Sequence, residues 1–394
     1  MNSIDDPRQF PRADAAAEEC ARLHRLAAAS QSTQGGDATA LDRQIVLALS
    51  ALLAPGNGDR LAAVFATTPT VAVHRHLWRL LVRCEQETRA IGNVDLAATL
   101  FAIPVVVIAG IEGDRPSQHA IPCVLDDAGA LAAILREHGA LAGNQTVALS
   151  NVLVSTGAID LPRLPGILAF RSLPEAKIAA RELEPTPIVL SPGAETVHLR
   201  FLLGTAIAAP GVDLLVDERA GTWGMPFTQE LTRQLAASVG SPIDQPAATS
   251  GVSVLALPRA PQSLLRALRQ GRASQREVGA RIFASNAIRK LRASVGEPTA
   301  VISAHRAPDA IDGGELRLSL SSPFDPREAE GFRCPLHPLD RVEDVLNMLT
   351  DLLAECRVTD VRVAAGIHAD RDPATGLPLL FKGEVSPTAP LRVH

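Results

Sequence analysis

The stretch "SAHRAPDA", residues 303–310, sets Ser303, His305, Arg306 and Asp309 at the end of an apolar run. A hydroxyl two residues from an imidazole on a strand shares its face, and a nearby carboxylate could orient the ring. That is the material of nucleophilic catalysis. The same spacing is ordinary in strands, however. The chain has no Gly-x-Ser-x-Gly elbow, no Walker A sequence and no Gly-x-Gly-x-x-Gly after a strand. An enzyme with a site near Ser303, His305 and Asp309 is therefore an alternative, and no catalytic residue is assigned.

"CPLH" gives Cys334 and His337 a spacing that zinc sites use, with His368, Asp370 and Asp372 further on. On one strand a separation of three turns the two side chains to opposite faces, so convergence would need a bulge at Pro335. No metal or cofactor is expected. In "GIHADRDPATGLPLLF" a calcium loop starting at Asp370 would want an oxygen ligand where Ala374 stands, a glycine at Thr375 and a glutamate at Phe381. Asp372–Gly376 reads instead as the tip of a β-hairpin, with Pro373 and Gly376 at turn positions.

Residues 259–292 hold Arg259, Arg266, Arg269, Arg272, Arg276, Arg281, Arg289, Lys290 and Arg292 against one acid, Glu277. Guanidinium groups on a helix can take phosphates, which makes Arg266, Arg269 and Arg276 candidate ligand-binding residues. The plain alternative is a solvated helix face. Trp223, in the Gly-rich loop "VDERAGTWGMPF", is a candidate partner contact if it is exposed and a core lid if it is not. His74 and His76, two apart on a helix, do not share a face and make poor joint ligands.

The elements that would position these groups follow from periodicity. The first 95 residues read as a helical module, with "LDRQIVLALSALLA" and "HRHLWRLLVRCEQET" at helical period and a Pro55–Gly58 break between them. Strand, helix and strand follow in "VVVIAG", "DAGALAAILREHGAL" and "TVALSNVLVS". "VHLRFLLGTAIAA" fits either a helix or a buried strand. From Gly251 the order is strand, long helix, two strands about the turn Asp312–Gly314, a third strand at "GFRCPLHPL", a helix and a last strand, "VTDVRVAAG". Asp340 and Glu343 form a candidate capping box for that last helix, whose apolar face is Val342, Val345, Leu346, Leu349, Leu352, Leu353 and Cys356. The whole reads as an α/β (α+β) chain: a helical module at 1–95, a mixed α/β region at 96–245 and a C-terminal ferredoxin-like sandwich at 246–394.

Composition narrows the function. A net charge of -5 argues against a nucleic-acid binder that is basic all over, and 3% aromatics with no Tyr leave little material for stacking platforms. The odd count of five scattered cysteines fits reduced thiols and a cytoplasmic setting. The most apolar stretch, residues 97–111, is short of the roughly 20 residues that span a bilayer, so no membrane contact is expected.

"VHLRFLLGTAIAAPGVDLL", "GVSVLALPRAPQSLLRALRQ" and "DVLNMLTDLLAECRVTDVRVA" are similar in order and spacing to segments of an uncharacterised bacterial family, domain of unknown function 2863. The resemblance covers the chain from about Leu96 onward and implies no activity. Family members carry a Cys-x-x-Cys pair after the last strand, where this chain has "HADRDPATG", so a metal role of those thiols does not carry over. The leading expectation is a non-enzymatic assembly or regulatory protein that acts through protein–protein contacts, with an unidentified protein or a second copy of the chain as partner. The alternative is a phosphate-ligand or nucleic-acid binder through residues 259–292.

Overall fold

The computed structural model describes residues 10–87, 90–91, 97–111, 119–140, 146–169, 183–190, 195–208, 222–239, 252–294, 296–306, 314–322 and 329–368. The divisions expected at 95 and 245, Asp309 and the hairpin at 372–376 lie outside these residues. The chain separates into two compact units, Met1–Arg272 and Ala273–His394.

The first unit opens with four helices, α1 (Phe10–Ser32), α2 (Gly36–Leu52), α3 (Gly58–Ala66) and α4 (Val71–Glu87). Their apolar residues at helical spacing are buried, among them Leu23, Ile45, Leu49, Leu61, Phe65, Leu77 and Leu81. The two histidines of α4 do separate. His76 Nε2 bonds Asp42 Oδ1 of α2 at 2.9 Å, while His74 lies inside, taking the Trp78 indole N–H on Nε2 at 2.9 Å and bonding Thr68 Oγ1 through Nδ1 at 2.9 Å. Burial holds the His74 pKa below its ordinary value, against a hydrogen bond from the ring to the Phe65 backbone carbonyl that raises it.

Strands β1 (Ala90–Ile91), β2 (Ala97–Ile111) and β3 (His119–Ile121) follow, then α5 (Ala128–Glu137), β4 (Thr146–Val154), α6 (Leu164–Leu168), β5 (Ile188–Leu190), β6 (Thr196–Ala208), α7 (Gly224–Ser238) and β7 (Val252–Pro258). The main sheet runs β1-β2-β6-β4, with β7 also paired to β2, and β3 pairs with β5 apart from it. The ambiguous "VHLRFLLGTAIAA" is thus a strand, paired to β2 from Ala97↔Ala208 to Ala109↔Thr196. A strand buried on both faces has no alternation to declare it. Pro104 is tolerated within β2 because its missing N–H would face the end of β7, where Arg259 N–H donates to the Pro104 carbonyl at 2.8 Å. One face of β2, from Phe101 to Ile111, packs on Leu131 and Leu135 of α5 and on Phe227, Leu231 and Leu235 of α7. Asp127 caps α5 by accepting from Ala130 N–H at 2.9 Å. Trp223 belongs to this core. It is 8% exposed and stands edge-on to Phe227 at 5.5 Å, so the partner-contact reading is corrected: the indole is part of the core.

Helix α8 (Leu264–Ser294) begins in the first unit and ends in the second. Its start is capped from far away: Glu85 of α4, 1% exposed, takes the N–H groups of Leu264 and Leu265 at 2.7 and 3.2 Å. Ser263, the ordinary cap residue immediately before the helix, has a buried hydroxyl with no hydrogen-bond partner among the described residues. Glu85→Ala is expected to cost about 2 kcal/mol, since it leaves two buried N–H groups unmet. Glu85→Gln, which keeps an acceptor, should cost about half as much. Urea unfolding followed by tryptophan fluorescence reads this directly, because both tryptophans lie in the first unit. A loss below about 0.5 kcal/mol for the alanine variant would mean that Ser263 takes over the cap.

The second unit holds the rest of α8, then β8 (Thr299–Arg306), β9 (Gly314–Ser321), β10 (Ala329–Pro335), α9 (Val342–Glu355) and β11 (Asp360–His368). Its sheet order is β10-β9-β8-β11, an antiparallel meander with β11 added parallel to β8 after α9. This corrects the ferredoxin-like reading. The strand expected to open the sandwich, β7, pairs instead with β2, whose long edge away from β6 takes it from Val105↔Pro258 to Ile111↔Val252. Element order alone does not choose a strand's partner. The apolar face, with Ala300, Ile302, Leu316, Leu318, Leu320 and Cys334, packs on Ala280, Ala284 and Ile288 of α8 and on Val345, Leu349, Leu352 and Leu353 of α9. Among the described residues no helix is long and apolar enough to cross a membrane.

Candidate functional site

Alternation in β9, "GELRLSLS", predicts one dry and one wet face, yet residues 315–320 are all buried. The polar face of this sheet therefore carries buried Glu315, Arg317 and Ser319 on β9 and His305 on β8. Across the strands the register makes rows. Arg333 of β10, Arg317 of β9 and Ser303 of β8 are successive Cα partners, as are Pro335, Glu315, His305 and, at backbone level on β11, His368. Residues on one row and one face lie about 5 Å apart from strand to strand.

Glu315 organises the group. Its Oε1 accepts from Arg317 Nε and Nη2, both at 2.5 Å, and its Oε2 from Arg333 Nε at 2.8 Å and Nη2 at 2.7 Å. Burial pushes the carboxyl up, but the hydrogen bonds and charges of Arg333 and Arg317 outweigh it and hold the pKa below the ordinary value. The Arg317 side chain is 2% exposed and that of Arg333 50%, so the cluster opens at the edge strand. Beside it Ser303 Oγ and His305 Nε2 are 2.8 Å apart. Opposite Ser303 the β11 ladder slips: Val363 pairs with Ile302, then Ile367 with Ala304, and residue 303 has no partner on that side. Bulges of this kind re-aim side chains and often border sites.

A second buried group sits where β10 ends. Arg276 of α8 donates through Nη1 to the Pro335 carbonyl at 2.8 Å and to Asp340 Oδ2 at 2.9 Å, and Asp340 also takes the His337 N–H at 2.9 Å. Burial would raise the Asp340 pKa, but the His337 N–H and the Arg276 guanidinium lower it overall. The expected capping box does not form. Helix α9 has Arg341 at its N-cap, because the Asp340 carboxylate is occupied by Arg276 and the His337 backbone.

The sequence candidates fare unevenly. Ser303 and His305 meet. Cys334 turns into the apolar core, where burial pushes its thiol up to about 12 despite Arg276, a poor start for a thiolate ligand. Cys334 and His337 belong to the β10 edge and His368 to the β11 edge, three strand spacings or roughly 14 Å apart, so they cannot share a metal. Among the described residues no group of three metal-ligating side chains converges. Arg266 and Arg269 are exposed, whereas Arg276 is 8% exposed and ion-paired. The basic run also acquires acids from elsewhere: Arg281 meets Glu355 at 2.6 Å, Arg292 meets Glu297 at 2.9 Å, and Lys290 meets Glu330.

The chain matches no family model, no curated protein and no solved structure. Its chemistry has to be read from its own side chains. Glu315, Arg317 and Arg333 carry none of the sequence expectations. The available signal was the Glu-x-Arg spacing of "ELRLS", which puts both charges on one face of a strand, and it means something only once that face is known to be buried.

Proposed function

We propose that the protein is a non-enzymatic regulatory protein whose C-terminal unit binds a small polar ligand on the polar face of its sheet, and that the bound state is passed on through protein contacts. A cytoplasmic setting belongs to the same proposal. The observation that carries it is the Glu315 carboxylate holding two guanidinium groups beside the Ser303–His305 pair. Polar groups gathered at the mouth of a buried face, on regular strands, are the usual construction of a binding site. Thermal-shift measurements with a panel of small anions, amino acids and polyols test this. Some compound is expected to raise the midpoint of the wild type and not that of Arg333→Ala. A panel in which no shift depends on Arg333 would remove the proposal.

A second reading, acyl transfer through Ser303, is supported by the 2.8 Å contact with His305. Among the described residues no helix N-terminus meets Ser303 to serve as an oxyanion donor. The binding reading expects no covalent labelling of Ser303 by a fluorophosphonate. Labelling lost in Ser303→Ala would favour the enzyme.

A further inference from the structure

We propose that the ligand of this face is a phosphate group, as a free ion or a phosphomonoester, gripped by Arg333 from the edge strand and by Ser303 from the strand two places in. The inference rests on the binding proposal above and adds the chemical class and the two gripping residues.

Arg333 is prepared for the task. Its Nε and Nη2 are both fixed on Glu315 Oε2, at 2.8 and 2.7 Å, and Glu315 is itself held on its other oxygen by Arg317. The guanidinium plane is thus set before any ligand arrives, and the rotamer entropy that a flexible arginine would lose on binding is already lost. Among the described residues Nη1 has no hydrogen-bond partner, and the side chain is half exposed. Ser303 offers the second donor. With the His305 Nε2 proton given to Ser303 Oγ, the hydroxyl proton is left for a ligand oxygen, and the bulge in β11 leaves residue 303 unpartnered on that side.

What these two residues offer is donors. Glu315, the acceptor beside Arg333, already has hydrogen bonds on both oxygens. A ligand rich in acceptors suits these donors. Ser303 and Arg333 stand on the same face with Arg317 between them, roughly 10 Å apart at Cα. Donors reaching inward from two strands suit a tetrahedral oxyanion, whose oxygens diverge, better than a planar carboxylate, which would turn both oxygens to one guanidinium edge.

Titration calorimetry in low-salt buffer, with inorganic phosphate, phenyl phosphate, acetate and citrate as separate titrants, tests the inference. Wild-type protein is expected to bind both phosphates more tightly than either carboxylate. Arg333→Lys, which keeps the charge and loses the fork, should weaken phosphate at least about tenfold, and Ser303→Ala about five- to tenfold. Arg362→Ala, on the opposite edge strand and engaged with Asp360, should leave binding unchanged. Circular dichroism of each variant confirms folding. Equal phosphate affinity in wild type, Arg333→Lys and Ser303→Ala overturns the inference. Arg333-dependent binding of citrate without phosphate binding overturns it and leaves the binding proposal standing. Absence of any Arg333-dependent ligand overturns both.

Discussion

Glu315→Ala is expected to destabilise the C-terminal unit by about 3–5 kcal/mol, the range for breaking a buried ion pair by removing one partner. The Arg317 side chain is 2% exposed, so loss of the carboxylate takes the Glu315 acceptor from its Nε and Nη2 inside the protein. Arg333 suffers less, because its half-exposed side chain can turn to water. Native-state hydrogen exchange on β8 and β9 peptides is the direct readout, with amides there exchanging about a hundredfold faster or more. Tryptophan fluorescence cannot follow this unit, since Trp78 and Trp223 both lie before residue 273. A loss below about 1 kcal/mol would show that the cluster is not held by Glu315. The same carboxyl has a lowered folded pKa, as do Asp340 and Asp360. Their stabilisation is present above the unfolded carboxylate pKa of about 4 and is lost as pH falls through the folded values. In Glu315→Gln that acid limb should be shallower.

Gly58→Ala should cost about 3 kcal/mol or more in the N-terminal unit, although helix propensity alone favours alanine by about 1 kcal/mol. A Cβ at this first residue of α3 would lie 1.7 Å from the Pro162 carbonyl oxygen and 2.6 Å from its carbon. The obstacle is backbone just ahead of α6, so no side chain can swing away. Either α3 moves off residue 162 or the fold loosens, and the contact decides the sign. Urea unfolding read by Trp78, buried in the helical module against Phe65, measures it. A variant as stable as the wild type would mean that this approach relaxes at little cost.

Periodicity served best where one face of an element is buried and the other wet. The amphipathic α9 illustrates this: Val345, Leu349, Leu352 and Leu353 are buried as their spacing predicts, while Val342 at its start remains 37% exposed. The helix read in "DAGALAAILREHGAL" was equally legible, and α5 begins there with Asp127 as its cap. What stayed hidden was non-local. Whether β6 was a helix or strand depended on the two strands beside it, and β7 found its partner in β2, which no pattern within "VSVLALP" announces. Asp340 has the sequence of a cap and the position of a counter-ion, because Arg276, 64 residues earlier, competes for its carboxylate. At the candidate site Ser303 and His305 were visible as neighbours on one strand. Glu315, Arg317 and Arg333 were not, since alternation in a strand normally marks its charged side as solvated.

The pairing of β2 with partners so late in the chain bears on how the protein is made. A ribosome delivers residues 97–111, fifteen residues of which eleven are Val, Ile, Leu or Ala, long before residues 196–208 and 252–258 exist to cover its two edges. Until then an extended apolar strand stands with its hydrogen-bonding edges bare beyond the short pairing of β1 with Ala97 and Ala98, a configuration prone to pairing with another nascent chain. Pro104, which removes one donor near its middle, is a built-in brake on such pairing within the strand. Yield from rapid overexpression should therefore depend on chaperone supply and synthesis rate more than on the stability of the finished fold.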